Sequence, residues 1–142
     1  MTVGIIYWSG TGNTEQMAGV LEEALKAEGV SVEVHPVSDV TVDQALQFDK
    51  LALGCPAMGD EQLEEVEFEP FYEDLKAAIG GDKPVVLFGS YSWNEGQWME
   101  DWTDDARSAG LTLLDDGVAC YEAPDDEEKK EALVDLAKLL AK

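Results

Sequence analysis

Tyr7-Trp8-Ser9-Gly10-Thr11-Gly12-Asn13-Thr14 stands between two segments of different period. Upstream, Thr2-Val3-Gly4-Ile5-Ile6-Tyr7 is an apolar run that reads as a buried strand. Downstream, Met17, Val20, Leu21, Ala24 and Leu25 recur at helical spacing. The stretch therefore joins the carboxyl end of a strand to the amino end of a helix. Gly10 and Gly12 permit a tight bend that gathers several backbone N–H groups at one point. The free N–H groups and dipole of the helix end favour an anion there. Ser9, Thr11, Asn13 and Thr14 can add neutral donors, and no Lys or Arg lies in or beside the loop. The pattern is that of a phosphate cradle without cations. Its plainer reading is a glycine-rich turn that starts an ordinary helix.

Other phosphate loops fit less well. The P-loop places Lys-Ser/Thr after its last Gly, whereas Asn13-Thr14 follows Gly12. The dinucleotide fingerprint needs a third glycine where this chain has Glu15.

Strand and helix signals alternate along the rest of the chain. Glu28-Gly29 closes the first helix, and Ser31-Val32-Glu33-Val34-His35-Pro36 alternates as a strand. Val42 to Gln47 suits a short helix, and Lys50-Leu51-Ala52-Leu53-Gly54 a third strand. Pro70 belongs in the first turn of a helix running through Phe71, Leu75 and Ile79 to Gly80-Gly81. Val85 to Gly89 is a fourth buried strand. A helix from about Gln97 carries Trp98 and Trp102 on one face, which reads as packing. Leu111 to Leu114 leads a fifth strand region reaching Tyr121. Pro124-Asp125-Asp126 opens a last helix with Leu133, Leu136, Ala137 and Leu140 on its apolar side. Such alternation predicts a parallel sheet with helices on both faces, and five strands suit the doubly wound order 2-1-3-4-5. A ligand belongs beyond the carboxyl ends of the strands, at the switch between the first and third. The loops there are Ser9–Thr14 and Gly54–Glu61, with Ser90–Gln97 next along the edge.

At 142 residues the chain is expected to form one domain, 1–142, able to bury a core without staples. Nine basic against 31 acidic residues give a net charge of −22, and with 45% hydrophobic residues this reads as a folded acidic surface. That charge argues against nucleic acid and anionic membranes and favours basic protein surfaces as partners. Cys55 and Cys120 make no disulfide framework, and Cys120 reads as a core thiol. His35, the only histidine, reads as a strand-end side chain rather than a metal ligand. No basic leader and no apolar run of membrane-spanning length is seen, so a cytoplasmic location is expected.

Ser9-Gly10-Thr11-Gly12-Asn13-Thr14 after an apolar strand resembles the FMN-phosphate loop of flavodoxins. Gly54-Cys55-Pro56-Ala57-Met58-Gly59-Asp60-Glu61 and Gly89-Ser90-Tyr91-Ser92-Trp93-Asn94-Glu95-Gly96-Gln97-Trp98-Met99 resemble the flavin-flanking loops of the short-chain flavodoxins of anaerobic bacteria. Glu67-Phe68-Glu69-Pro70-Phe71 extends the likeness over nearly the whole chain. The resemblance implies the three-layer flavodoxin-like sheet and non-covalent FMN. It implies that Met58 packs on the inner face of the isoalloxazine, that the Gly59–Asp60 peptide faces flavin N5, and that Glu61 accepts from N3–H. Ala57, Ser90, Tyr91, Ser92 and Gly96 complete the implied cofactor contacts. Trp93 is the candidate for the outer stacking partner, since a large ring in a polar loop otherwise serves only as an anchor. The relatives usually carry Gly on both sides of this Trp, where this chain has Ser92 and Asn94.

The function so implied is a monomeric, low-potential electron carrier that cycles between semiquinone and hydroquinone and serves basic-surfaced reductases and oxidoreductases. The alternative is an FMN-dependent quinone or NAD(P)H reductase on the same fold. An enzyme of that kind must hold the phosphates of a nicotinamide beside the flavin, yet every Lys and Arg falls outside the three loops. A receiver domain would need acidic residues at the ends of the first and third strands, which read Tyr7-Trp8 and Gly54-Cys55.

Overall fold

The computed structural model describes residues 2–10, 12–57, 64, 66–91, 97–122, 124 and 127–142. Its strands are β1 (Thr2–Tyr7), β2 (Ser31–Pro36), β3 (Lys50–Gly54), β4 (Pro84–Tyr91), β5 (Thr112–Leu113) and β6 (Val118–Tyr121). Its α-helices are α1 (Asn13–Ala27), α2 (Val42–Ala45), α3 (Phe68–Ile79), α4 (Gln97–Ser108) and α5 (Glu127–Ala141). A 3-10 turn at Val37–Asp39, not anticipated from the sequence, follows β2. All pairings are parallel, in the order β2-β1-β3-β4-β5, with β6 also on β4.

The doubly wound order 2-1-3-4-5 is therefore as the alternation predicts, with one refinement. The fifth position is not one strand region from Leu111 to Tyr121 but two pieces. Thr112 and Leu113 pair with Pro84 and Val85, and Val118 to Tyr121 pair with Phe88 to Tyr91. Between them the chain leans out to α4. Asp116 pairs with Arg107 at 2.8 Å, and the Gly117 N–H donates to Thr103 Oγ1 at 3.4 Å. Three consecutive residues, Asp115-Asp116-Gly117, offer a strand no apolar side chain to bury, so the ladder breaks there.

Side chains alternate across the sheet with the period of a strand. Val3, Ile5, Ala52, Val86 and Phe88 face α1 and α5, where Met17, Leu21, Leu25, Leu133, Leu136 and Leu140 meet them. Ile6, Leu51, Leu53, Val85 and Leu87 face α3 and α4, meeting Phe68, Tyr72, Leu75, Trp98 and Trp102. These are the three layers. Trp98 and Trp102 are almost wholly buried, in the packing role their spacing suggests, and Cys120 is a fully buried thiol.

α3 and α4 are further locked to each other. The Tyr72 hydroxyl donates to Asp105 Oδ2 at 2.9 Å, and Lys76 Nζ reaches the same oxygen at 2.8 Å and Glu73 at 2.7 Å. Lys76 also lies 4.7 Å from the centre of the Tyr72 ring. Trp102 meets Phe68 and Tyr72 edge-on, at 5.6 and 6.0 Å between ring centres. Burial, and then the Asp105 carboxylate, push the Tyr72 phenol well above its ordinary range.

Candidate functional site

The sheet brings three chain ends together. Beyond β1, the Trp8 N–H donates to Gly54 O at 2.9 Å. Beyond β3, the Cys55 N–H donates to Phe88 O at 3.1 Å and the Ala57 N–H to Ser90 O at 2.9 Å. The ladder thus runs past the regular strands, and residues 8, 55–57 and 90–91 lie side by side.

Into this corner projects the start of α1. Gly12 is its N-cap residue, at φ 95° and ψ −9°, and as a glycine it brings no side chain to cap the helix. A residue bearing Cβ rarely adopts that conformation, so glycine here is a requirement of the bend. Ser9 Oγ accepts from the Gly12 N–H at 3.0 Å, which ties the loop across its base and leaves the hydroxyl proton free to donate. The N–H groups of Asn13, Thr14 and Glu15 lie in the first turn, where a helix offers no carbonyl to receive them. A Cβ added at Gly10 would come within 2.9 Å of the Trp8 ring, so the glycine lets the indole lie over the loop. Glu15 is the acidic residue of this first turn, and the Tyr7 phenol is raised by burial and then by that carboxylate.

The structure joins the first motif to the third. Thr14 Oγ1 and Ser90 Oγ are 3.0 Å apart and both residues are buried, so α1 and the end of β4 share a hydrogen bond at the cradle. A terminal phosphate suits this arrangement. Backbone donors, a helix dipole and hydroxyls meet here, and no Lys or Arg lies in the loop. Of the residues singled out by sequence, Ser9, Gly10, Gly12, Asn13, Thr14, Ala57, Ser90 and Tyr91 are brought to this one edge. Thr11, Met58, Gly59, Asp60, Glu61, Ser92, Trp93 and Gly96 lie outside the described residues.

Three residues of this corner have roles that the sequence did not single out. Glu64 is buried, and its carboxylate accepts from the N–H groups of Val66, Glu67 and Phe68 at 2.7, 2.9 and 2.8 Å. Glu67 Oε1 accepts from Trp8 Nε1 at 3.2 Å, bridging the start of α3 to the cradle. The buried Cys55 thiol accepts the Glu64 N–H at 3.4 Å, and burial raises its pKa far above the ordinary 9.0. The only available signal was an acidic run ending just before an apolar helix, as in a cap. Several carboxylates in that run compete for the role.

The flavodoxin family model matches residues 5–134. The chain is 46% identical to a flavodoxin of Clostridium beijerinckii over 88% of its own length and 90% of the relative's. It is 44% identical to that of Megasphaera elsdenii, over 95% of this chain and 97% of the other. The solution structure of two-electron reduced M. elsdenii flavodoxin superposes with a TM-score of 0.86 over the same shares. A short-chain flavodoxin associated with a non-canonical PDU bacterial microcompartment, 27% identical, superposes at 0.87 over 99% of this chain and 96% of the other. Flavodoxins carry FMN and transfer electrons rather than turn over a substrate, so the reductase alternative falls away. The 2-1-3-4-5 sheet and the likeness over most of the chain agree, and the chain belongs to the flavodoxin family.

Proposed function

We propose that this chain is a low-potential, one-electron carrier, a single domain spanning 1–142, that works as a monomer in the cytoplasm between basic-surfaced redox proteins. When bound, FMN supplies the site that takes up and gives back the electron. The observation that carries the reading is the helix end at Gly12, an N-cap residue with no side chain of its own, set where β1, β3 and β4 end together. Ser9, Thr11, Asn13 and Thr14 hold the phosphate, with Ser90 supporting Thr14. Ala57, Met58, Gly59, Asp60 and Glu61 form one wall of the ring site, and Tyr91, Ser92, Trp93 and Gly96 the other. Among the described residues no helix is long and apolar enough to cross a membrane.

The low potential follows from charge. Each carboxylate about 10 Å from the ring opposes an added electron by roughly 1–2 kcal/mol at an effective dielectric near 20. A one-electron couple shifts by about 59 mV for each factor of ten, or 1.4 kcal/mol. Several carboxylates of a chain carrying −22 therefore lower the potential substantially, and the same field draws cationic partners to the edge.

Asn13→Ala tests the phosphate assignment. A hydrogen bond to a charged group is worth about 1.5–3 kcal/mol, so the Kd for FMN should rise roughly 10- to 150-fold. Riboflavin, which lacks the phosphate, should bind as before. Equal losses for the two ligands in a fluorescence titration would show that the cradle does not hold phosphate.

A further inference from the structure

Ala57 and Glu64, the described residues on either side of 58–63, are held to the fold by different means. At the entry, the Cys55 and Ala57 N–H groups continue the β3–β4 ladder. On the far side, every part of Glu64 is engaged. Its N–H donates to Cys55 Sγ at 3.4 Å, its carbonyl accepts from the Glu69 N–H at 2.8 Å, and its carboxylate, in a residue 5% exposed, receives three further N–H groups. A carboxylate at the start of α3 meets both the orphan donors and the positive end of the dipole. Capping does not by itself call for a residue this far back. Glu67 holds the N-cap position, yet its side chain makes no cap bond and accepts from the Trp8 indole instead. Reaching back to Glu64 adds what a cap at Glu67 would not: the helix start and the end of β3 are joined through one residue.

We infer that Glu64, which follows the proposed ring-binding residues 58–61 in the chain, is a positioning residue of the FMN site, itself clasped to β3 through the Cys55 thiol and to α3 through its carboxylate. The inference rests on the assignment of 58–61 to the ring. Binding constellations must be held within about 0.5 Å of their working geometry, and chain connectivity passes any displacement of Glu64 into that segment. The phosphate cradle hangs on α1 and β4, and it meets the start of α3 through the Glu67–Trp8 hydrogen bond, in which neither Glu64 nor Cys55 takes part.

The test is the stripped protein titrated with riboflavin, FMN and inorganic phosphate, as wild type, Glu64→Gln and Cys55→Ala. Glu64→Gln replaces one acceptor oxygen by an amide that cannot accept, and Cys55→Ala removes the acceptor of the Glu64 N–H together with a buried thiol that donates to Pro56 O at 3.5 Å. For Glu64→Gln the Kd values for riboflavin and FMN should rise together, about tenfold or more, while inorganic phosphate binds no more weakly. Cys55→Ala should show the same pattern at about threefold or more. If thermal stability falls while riboflavin and FMN bind within twofold of wild type, Glu64 merely caps α3 and the inference is overturned. Parallel weakening of inorganic phosphate would overturn it too, as general loosening. Should Glu64→Gln fail to fold, Cys55→Ala decides by the same criteria. A wild type that binds neither flavin would instead defeat the FMN assignment itself, and the inference with it.

Discussion

The phosphate half and the ring half of the proposed FMN site are built from different materials. The phosphate half is secondary structure put to use: one helix end, one left-handed glycine and a hydroxyl pair that joins α1 to β4. Its donors stand where they do because a strand, a bend and a helix follow one another within a dozen residues. The ring half is proposed from residues that follow β3 and β4 in the chain, within 58–61 and 91–96. It depends on what grips its ends, such as Ala57 on Ser90 and Glu64 on Cys55. Local sequence suffices for the first; contacts between residues far apart in the chain are needed for the second.

The largest effect expected from this division is that of Gly12→Val. At φ 95° a β-branched residue is a genuine outlier, so the bend must change and the N–H groups of Asn13 and Thr14 turn away together. Losing two hydrogen bonds to a charged group costs at least about 3 kcal/mol, or roughly 150-fold in the Kd for FMN. Riboflavin affinity should change little, because the ring half is held elsewhere. Comparable loss of riboflavin in a fluorescence titration would break the division into halves.

Trp93→Ala probes the other half. Stacking on an aromatic side chain is worth about 1–3 kcal/mol per base, and the same range for a flavin ring raises Kd roughly 5- to 150-fold. Riboflavin and FMN should weaken by equal factors, the mirror image of Asn13→Ala. An unchanged Kd would reduce Trp93 to an anchor for its loop.

Salt separates the halves by charge. The Debye length falls from about 30 Å at 0.01 M to 3 Å at 1 M, so added salt screens the carboxylates that oppose an electron on the ring. The midpoint potential of the FMN-loaded protein should then rise by an amount on the order of tens of millivolts. A flat response in a potentiometric titration would mean that the acidic surface does not set the potential.

Legibility in the sequence followed the same line. The strands and the order of the sheet were readable because buried parallel strands are continuous apolar runs, as in Val85 to Gly89, and because Pro70 and Gly80-Gly81 punctuate α3. The cradle was readable because its parts are neighbours in the chain. The break between β5 and β6 was hidden, since Leu111 to Leu114 and Val118 to Tyr121 each read as strand and only the contacts of Asp116 and Gly117 with α4 separate them. Glu64 was hidden for a different reason. In a run of acidic residues, composition says that carboxylates face water, and nothing local says which one turns inward to cap α3. The Thr14–Ser90 bond joins residues 76 apart, a distance no motif covers.

The smallest effect concerns the frame that carries both halves. Tyr72 and Asp105 lock α3 to α4 on the flank of the sheet, away from the cradle at the start of α1. Tyr72→Phe removes a single hydrogen bond and should cost about 0.5–1.5 kcal/mol of stability. For a chain of this length that is a fall in Tm of about 2–6 °C. The Kd values for FMN and riboflavin should stay within twofold of wild type. A pH series adds a second reading. The folded phenol titrates above its ordinary value of 10.0, because burial and Asp105 disfavour the phenolate. The stability it contributes is therefore fully present below about pH 10 and is lost as pH rises above that value, since the unfolded state releases the proton first. Burial raises the Cys55 thiol in the same direction from 9.0, so wild-type Tm should begin to fall near pH 9 and fall more steeply beyond pH 10. Tyr72→Phe should keep the first decline and lessen the second, leaving the smaller part due to the raised Tyr7 phenol. If the two proteins lose stability in parallel above pH 10, some other group governs the alkaline limb, and the clamp between α3 and α4 adds less to the frame than its geometry implies.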